Sequence, residues 1–285
     1  MNRNYHPTVD FAYFAFVTGF TVFFMNPVCV AASLLSGICH SLLLGRKNGY
    51  VIWVFLAAAF ANPLFNHEGA TVLFYLPNGN PFTFEAMLYG LSAAAVLAAV
   101  ILHFSCFNGI FTSDKLLYLF ARVSPSLSLV VSMTLHFVPE FRINIRKIAD
   151  AGAAAGYKEQ GLLKEAKKGV HILSAAISQS LENSIETADS MRARGYGIMK
   201  RSTYLTFRFD KRDLFSIVLI LSLSAYVLSA GGLGAFYFKF YPTVRHAAVT
   251  PYHLSAEAAF AILCFLPVIS GIKEELVWKQ SESKI

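Results

Sequence analysis

Apolar residues form six long runs along the chain, separated by short polar stretches and, between the fourth and fifth runs, by one long polar segment. A helix that crosses a bilayer needs about 20 apolar residues, within a range of roughly 17–25, and each run meets or approaches that length. The pattern therefore predicts an all-α, polytopic membrane protein with about six transmembrane helices. The runs are Val9–Met25, Pro27–Leu44, Tyr50–Phe65, Ala86–Phe107, Leu214–Phe238 and Tyr252–Ile272.

The composition agrees with a membrane protein. Hydrophobic residues make up 55% of the 285 residues and charged residues only 14%, whereas soluble chains carry roughly 25% charged residues. The abundance of aromatic and aliphatic residues excludes intrinsic disorder. The four cysteines all lie in apolar runs without C-x-x-C spacing, so we expect them to be buried small hydrophobes rather than metal ligands or redox groups.

Basic residues are concentrated between the fourth and fifth runs. Residues 108–213 hold 16 of the 24 Lys and Arg residues but only 10 of the 17 Asp and Glu residues, while residues 66–85 contain no Lys or Arg. Because basic loops stay in the cytoplasm, we expect residues 108–213 and both termini to be cytoplasmic, and residues 66–85 to lie outside. The chain then divides into N-terminal transmembrane helices (1–107), a cytoplasmic region (108–213) and C-terminal transmembrane helices (214–285).

The first half of the cytoplasmic region predicts one long helix, from Leu127 to Gly156. Pro139 should kink it, because proline removes a backbone donor and clashes with the preceding turn. The helix ends in small residues, among which Gly152 and Gly156 form a G-x-x-x-G pattern that lets another helix approach closely. Glycines so near a helix end also fit simple helix termination, and both interpretations can hold together.

The second half predicts another long helix, from Leu162 to Arg194, with an apolar stripe at steps of three or four residues. Gly195 suits the left-handed position that follows a helix C-terminus, and the preceding arginines complement the negative end of the helix dipole. Any well-capped helix could end in this way, so the pattern alone does not identify a docking site. The stripe consists of Val170, Leu173, Ile177, Leu181 and Ile185, and the end consists of Arg192, Ala193, Arg194 and Gly195.

Motifs of known catalytic chemistry are missing from the sequence. It has no G-x-x-x-x-G-K-[ST] loop, so we do not expect the chain to bind or hydrolyse ATP, and it has neither H-E-x-x-H nor G-x-S-x-G. His136 and Glu140 lie one turn apart but have no third metal ligand nearby, which favours packing or hydrogen bonding. Glu257 is the main ionisable residue within the apolar runs, and such a residue is a functional hypothesis by default.

Several short motifs resemble one known family, the transmembrane T component of energy-coupling factor (ECF) transporters, which includes the cobalt-transport Q-type proteins. The resemblance covers most of the chain. Its most specific element is Ala193-Arg194-Gly195-Tyr196, which resembles the second of two Ala-Arg-Gly motifs in that family; the first would fall on Ala154-Ala155-Gly156, where Ala155 replaces the arginine. The other matching segments are His6-Pro7, Asn62-Pro63-Leu64-Phe65 with Gly69, and Thr134-Leu135-His136-Phe137-Val138-Pro139, in which the family often has arginine at position 136.

The resemblance implies a non-catalytic scaffold and lever in the plasma membrane of a prokaryote. In this family the two cytoplasmic helices are coupling helices, and their motifs dock on two ABC-type ATPases that bind ATP and Mg²⁺. A separate membrane S component captures a vitamin or a transition-metal ion. The resemblance therefore implies ATPase docking through residues 154–156 and 192–195. We expect the stripe on the second helix to pack on the S component, with packing inside this chain as the alternative. We expect no cofactor, metal or nucleic acid to bind this chain directly.

Other interpretations remain open at the level of sequence. A membrane-embedded enzyme could use His136 and Glu140, and would show turnover by the chain alone. A self-sufficient secondary carrier would usually have broken helices or charges near the bilayer midplane, and the apolar runs show little of either. Small residues within the runs could also contact an S component or pack inside this chain; they are Ala32 and Ser36, Gly90, Ala94 and Ala98, and Gly231 and Ala235.

Overall fold

A computed structural model describes residues 5–75, 81–156, 162–198, 207, 209–246 and 250–282. Within these ranges the chain forms nine helices and two short antiparallel hairpins. The predicted all-α class is therefore confirmed. The elements are α1 (Pro7–Phe23), α2 (Pro27–Leu43), α3 (Tyr50–Phe65), β1 (Val72–Tyr75), β2 (Pro81–Thr83), α4 (Phe84–Ile110), α5 (Ser113–Val123), α6 (Pro125–Ala154), α7 (Leu162–Ala193), α8 (Lys211–Gly232), β3 (Phe238–Lys239), β4 (Arg245–His246) and α9 (Pro251–Glu282).

Each of the six predicted apolar runs forms a helix. Helices α4 and α8 and the Pro251–Lys273 part of α9 are long and apolar enough to cross a membrane, whereas α1, α2 and α3 are apolar but have only 16 or 17 residues. The fifth run was predicted to continue to Phe238, but its helix ends at Gly232. Gly234 then adopts a positive φ of 80°, a conformation that glycine adopts readily and that ends regular helix.

The chain forms two compact units, residues 1–115 with 207–285 and residues 116–206. The first unit contains all six apolar helices, and the second contains α6 and α7. The functional division at residues 107 and 213, into membrane and cytoplasmic parts, stays a prediction.

The core of the first unit lies among α1, α2, α4, α8 and α9, whose facing side chains are buried. The small residues of the apolar runs let these helices approach closely: Ala94 and Ala98 are buried, and a Cβ at Gly90 would lie 2.9 Å from the backbone oxygen of Ala59 on α3. Ser36 and Ala235 are buried as well. These small faces therefore pack inside the chain, as one of the two sequence interpretations proposed.

Hydroxyl groups hydrogen-bond within this core. The Tyr13 hydroxyl donates to the Cys264 carbonyl at 2.8 Å, and the Ser36 hydroxyl donates to the same carbonyl. Cys264 lies three residues before Pro267, which lies inside α9, and hydroxyls commonly satisfy backbone groups near such a proline in membrane helices. Ser33 bridges Thr21, at 2.7 Å, and Nε2 of His103, at 3.0 Å.

Contacts at the two ends of the first unit confirm that its helices alternate in direction. At one end, called the Lys115 end, Lys115 pairs with Asp10 near the start of α1, and the Arg46 guanidinium lies against Gly109 near the end of α4. At the other end, called the Tyr241 end, the Asn66 amide donates to the Tyr241 hydroxyl at 3.1 Å. Basic residues 46 and 115 thus share an end, as the charge pattern predicts.

The Tyr241 end is held by hydrogen bonds between loops. The Ala70 N–H donates to the Pro242 carbonyl at 3.1 Å, and the Thr71 N–H donates to the Glu85 carboxylate. Gly69 has a φ of +148°, and a Cβ there would lie 2.6 Å from Oε2 of Glu85. The loop therefore requires glycine at this position.

Glu257 also lies toward this end, where its carboxylate accepts a hydrogen bond from the Asn26 amide at 3.1 Å. This pairing gives the one prominent ionisable residue of the apolar runs a structural partner. In the loop at the same end, burial raises the pKa of Tyr241 above its usual value, so its hydroxyl stays protonated at physiological pH.

In the second unit, α6 and α7 pack against each other. Helix α6 begins directly after Ser124, with Pro125 in its first turn, where the missing N–H of proline costs nothing. Pro139 lies inside the helix, which continues beyond it to Ala154. Helix α7 buries the small residue Ala176, which is 1% exposed.

Candidate functional site

The C-terminus of α7 forms a regular glycine-capped turn. The Gly195 N–H donates to the Arg192 carbonyl at 2.9 Å, and the Tyr196 N–H reaches back to the Met191 carbonyl at 3.0 Å. Gly195 has a φ of +84°. This pair of hydrogen bonds around a left-handed glycine is the Schellman arrangement, and it confirms the conformation predicted for Gly195.

The C-terminus of α6 also has a left-handed glycine. The Gly156 N–H donates to the Ala153 carbonyl at 3.2 Å, and Gly156 has a φ of +87°. Among the described residues, no heavy atom outside the helix backbone lies within 4 Å of a Cβ placed at Gly152. Gly156 therefore terminates the helix, whereas Gly152 lies inside it and forms no close helix contact in the described structure. Tyr157 and Lys158 lie outside the described residues.

The two helix ends also share a short sequence, Ala-Asp-x-x-x-Ala-x-Gly-Tyr, at residues 149–157 and 188–196. Aligning the two glycines reveals this internal repeat, and the sequence analysis missed it. Ala154 corresponds to Ala193, Gly156 to Gly195, and Ala155 to Arg194. The repeat supports the assignment of Ala155 to the position that arginine occupies in the second motif.

Both helix ends are accessible. Ala154, Ala155 and Gly156 are exposed, and so are Ala193 and Arg194. Neither Arg194 nor the exposed Arg192 forms a salt bridge with any other described residue. A guanidinium carries five donors in a rigid fork that matches a carboxylate, so the α7 end can offer two such groups to a partner, while the α6 end offers a small apolar surface.

The predicted stripe on α7 is exposed along its whole length. Its five residues are between 47% and 67% exposed. Large apolar side chains grouped in this way mark an interaction surface. The stripe consists of Val170, Leu173, Ile177, Leu181 and Ile185.

Among the described residues, the structure brings no third possible metal ligand to His136 and Glu140. His136 and Glu140 lie exposed on α6, and the described residues contain no group of three or more His, Cys, Asp or Glu side chains that could hold a metal ion. The structure does place one ion pair that the sequence analysis missed, between Asp10 and Lys115.

Comparison with known proteins gives two curated relatives, although no family model matches the chain. The energy-coupling factor transporter transmembrane protein EcfT of Lactobacillus helveticus (strain DPC 4571) is 32% identical over 117 residues, which cover 40% of this chain and 42% of that protein. The protein of the same name from Streptococcus thermophilus (strain ATCC BAA-250 / LMG 18311) is 26% identical over 233 residues, which cover 75% of this chain and 85% of that protein.

The chain thus spans less than half of the first relative and most of the second. Both carry the name of the family whose motifs the chain resembles, and the longer alignment extends over three quarters of the residues. These similarities confirm the resemblance that the motifs of this chain indicate.

Proposed function

We propose that this chain is the coupling subunit of an ECF-type importer. It passes ATP-driven motion from two cytoplasmic ABC-type ATPases to a membrane S component that carries a vitamin or a transition-metal ion. The observation that supports this function best is the pair of matching helix ends on one polypeptide, each with a left-handed glycine at φ +87° or +84°. Two similar ends suit a partner made of two similar subunits, and ATP and Mg²⁺ bind to those subunits.

The two docking contacts are unequal in this proposal. At the α7 end, Arg194 anchors one ATPase through charge-assisted hydrogen bonds, which are roughly twice as strong as neutral ones. At the α6 end, Ala154, Ala155 and Gly156 dock by close packing, with Lys158 beside them in the sequence. The guanidinium of Arg194 has no ion-pair partner among the described residues, so it is available to a carboxylate on the ATPase.

The exposed stripe on α7 packs against the S component. Its five side chains are aliphatic and at least 47% exposed, and covering such surface releases about 25 cal/mol per Å². The S component is an apolar membrane protein in this proposal, and therefore offers a surface of matching character. In this proposal the chain is a multi-pass protein of a prokaryotic plasma membrane with α6, α7 and both termini in the cytoplasm, which the distribution of basic residues supports.

Co-purification tests the proposal directly. A tagged chain should retain two ATPases and one small membrane protein. Arg194→Ala should weaken ATPase retention strongly, because truncating one partner of a buried charge contact costs about 2–5 kcal/mol. Ala155→Ser should have little effect, because it changes a small side chain in a packed contact. Arg146→Ala is the control, because it removes one exposed positive charge from α6 outside both helix ends.

Equal and mild effects of Arg194→Ala and Ala155→Ser would contradict the unequal docking. The isolated chain, reconstituted in vesicles without partners, should neither take up a solute nor transform one. Uptake or turnover by the isolated chain would contradict the coupling function as a whole.

A further inference from the structure

A buried ion pair joins the first turn of α1 to the start of α5. The Lys115 ammonium lies 2.6 Å from Oδ2 of Asp10, and the two side chains are only 2% and 11% exposed. Lysine is almost never fully buried unless it is paired. Replacing a buried ion pair by apolar residues is often neutral or stabilising, so a buried ion pair is weak evidence for a stabilising role.

A second contact joins the same turn of α1 to the start of α8. Oδ1 of Asp213, a buried residue, accepts a hydrogen bond from the His6 N–H at 3.3 Å. Oδ2 of Asp213 accepts from the Asp210 N–H at 3.2 Å and completes a capping box at the beginning of α8. The ring of Phe209 also packs edge-on against the His6 ring, with 4.9 Å between centroids.

These contacts coincide with the two places where the chain passes between its compact units. Lys115 is the last residue of the first unit before the chain enters the second, and the chain re-enters the first unit at Phe207. Both connections are therefore fixed to residues 6–10 of α1 and its N-cap. A movement of α6 and α7 that displaces either connection can therefore reach α1 through these contacts.

We infer that Asp10, Lys115 and Asp213 are positioning residues that transmit motion of the coupling helices to α1. This inference rests on the proposed function, since it assigns the route by which the ATPase-driven motion enters the membrane body. An ion pair and a capping carboxylate suit this role, because they fix direction and distance where apolar side chains can slide. We name the three residues the α1 tie.

The test uses the full complex of this chain with its ATPases in lipid nanodiscs. Hydrogen–deuterium exchange is measured with and without ATP plus orthovanadate, in peptides covering residues 7–13 of α1 and 190–196 of α7. The wild type should change its exchange in both peptides. The double variant Asp10→Asn/Lys115→Met, which removes both charges of the pair, should keep the α7 change and lose at least three quarters of the α1 change.

Two further variants separate transmission from folding. Asp114→Asn changes the exposed carboxylate next to Lys115 and should behave as the wild type. Asp213→Asn weakens the second connection while leaving the ion pair, and should reduce the α1 change as well, so the inference can be tested even if the double variant unfolds. Thermal unfolding of each isolated chain shows which variants are folded.

The inference is wrong if the folded double variant and Asp213→Asn keep the α1 response, or if wild-type α1 does not respond while α7 does. Failure of the proposed function looks different: no ATPase co-purifies, or nucleotide leaves the α7 peptide unchanged in the wild type. In that case the tie has no ATPase-driven motion to transmit, and the inference falls with the proposed function.

Discussion

Gly195→Ala should destabilise the end of α7 through backbone conformation alone. Gly195 has a φ of +84°, and a Cβ at this position would meet only Cδ1 of Ile198, at an ordinary 3.8 Å. Steric overlap therefore adds no free energy. The expected loss of stability of the turn is the free energy of holding an L residue in the left-handed region, about 1–2 kcal/mol. Since 1.4 kcal/mol corresponds to a factor of ten, the turn should open about 5–30 times more often.

Amide exchange of Tyr196 measures this opening, because its N–H is bonded to the Met191 carbonyl only while the turn is formed. After correction for intrinsic rates, exchange should be about 5–30 times faster in Gly195→Ala, by the free-energy cost above. The exchange rate of Tyr196 in Gly195→Asn should lie between the rates in Gly195→Ala and the wild type, since asparagine adopts this conformation more readily than alanine. If docking requires the formed turn, ATPase affinity should fall by a similar factor.

Gly169→Ala is the matched control. Gly169 lies in the same helix, with no positive φ and no heavy atom within 4 Å of an added Cβ among the described residues. Alanine should stabilise the helix at position 169 by up to about 1 kcal/mol. The two substitutions should therefore change the stability of α7 in opposite directions. An unchanged Tyr196 exchange rate in Gly195→Ala would refute the assignment of the cost to the left-handed turn.

Three further substitutions test other parts of the structure. Gly90→Ala places a Cβ 2.9 Å from the Ala59 oxygen. The overpacking cost of about 1–3 kcal/mol should exceed the gain in helix propensity and lower the thermal midpoint. An unchanged or raised midpoint would contradict the close α3–α4 contact. Leu181→Ser should leave the thermal midpoint of the isolated chain unchanged but reduce S-component retention, because this side chain is 62% exposed; normal retention would argue against the stripe. Ala155→Arg should increase ATPase retention in washes of low ionic strength, and an effect that is equal in high salt would contradict a charge contact.

The sequence predicts the helices well because hydropathy and helix length are local properties. The third run and its helix have identical bounds, Tyr50–Phe65, and the second differs by a single residue. The prediction fails beyond Gly232, where the chain remains apolar but leaves the helix. Hydropathy does not distinguish an apolar helix from an apolar turn. The turn is visible only in the structure, where Gly234 has a positive φ.

The conformation of the helix ends at the candidate site can be predicted because it too depends on local sequence. The glycine turns after α6 and α7 depend on a few consecutive residues, and so a motif suffices to find them. The internal repeat around Gly156 and Gly195 could also have been found by aligning the two glycines. By contrast, Asp10 and Lys115 are separated by 105 positions, and no local pattern indicates that they meet.

The attachment of both connections to one turn of α1 makes residues 116–206 an insertion whose beginning and end are anchored at the same place. A segment anchored in this way can be replaced without rerouting the rest of the chain, much as domains are inserted into exposed loops. Chimaeras that carry the corresponding segment of the Streptococcus thermophilus relative should therefore fold. The same arrangement would let residues 116–206 and the apolar helices diverge at different rates during evolution.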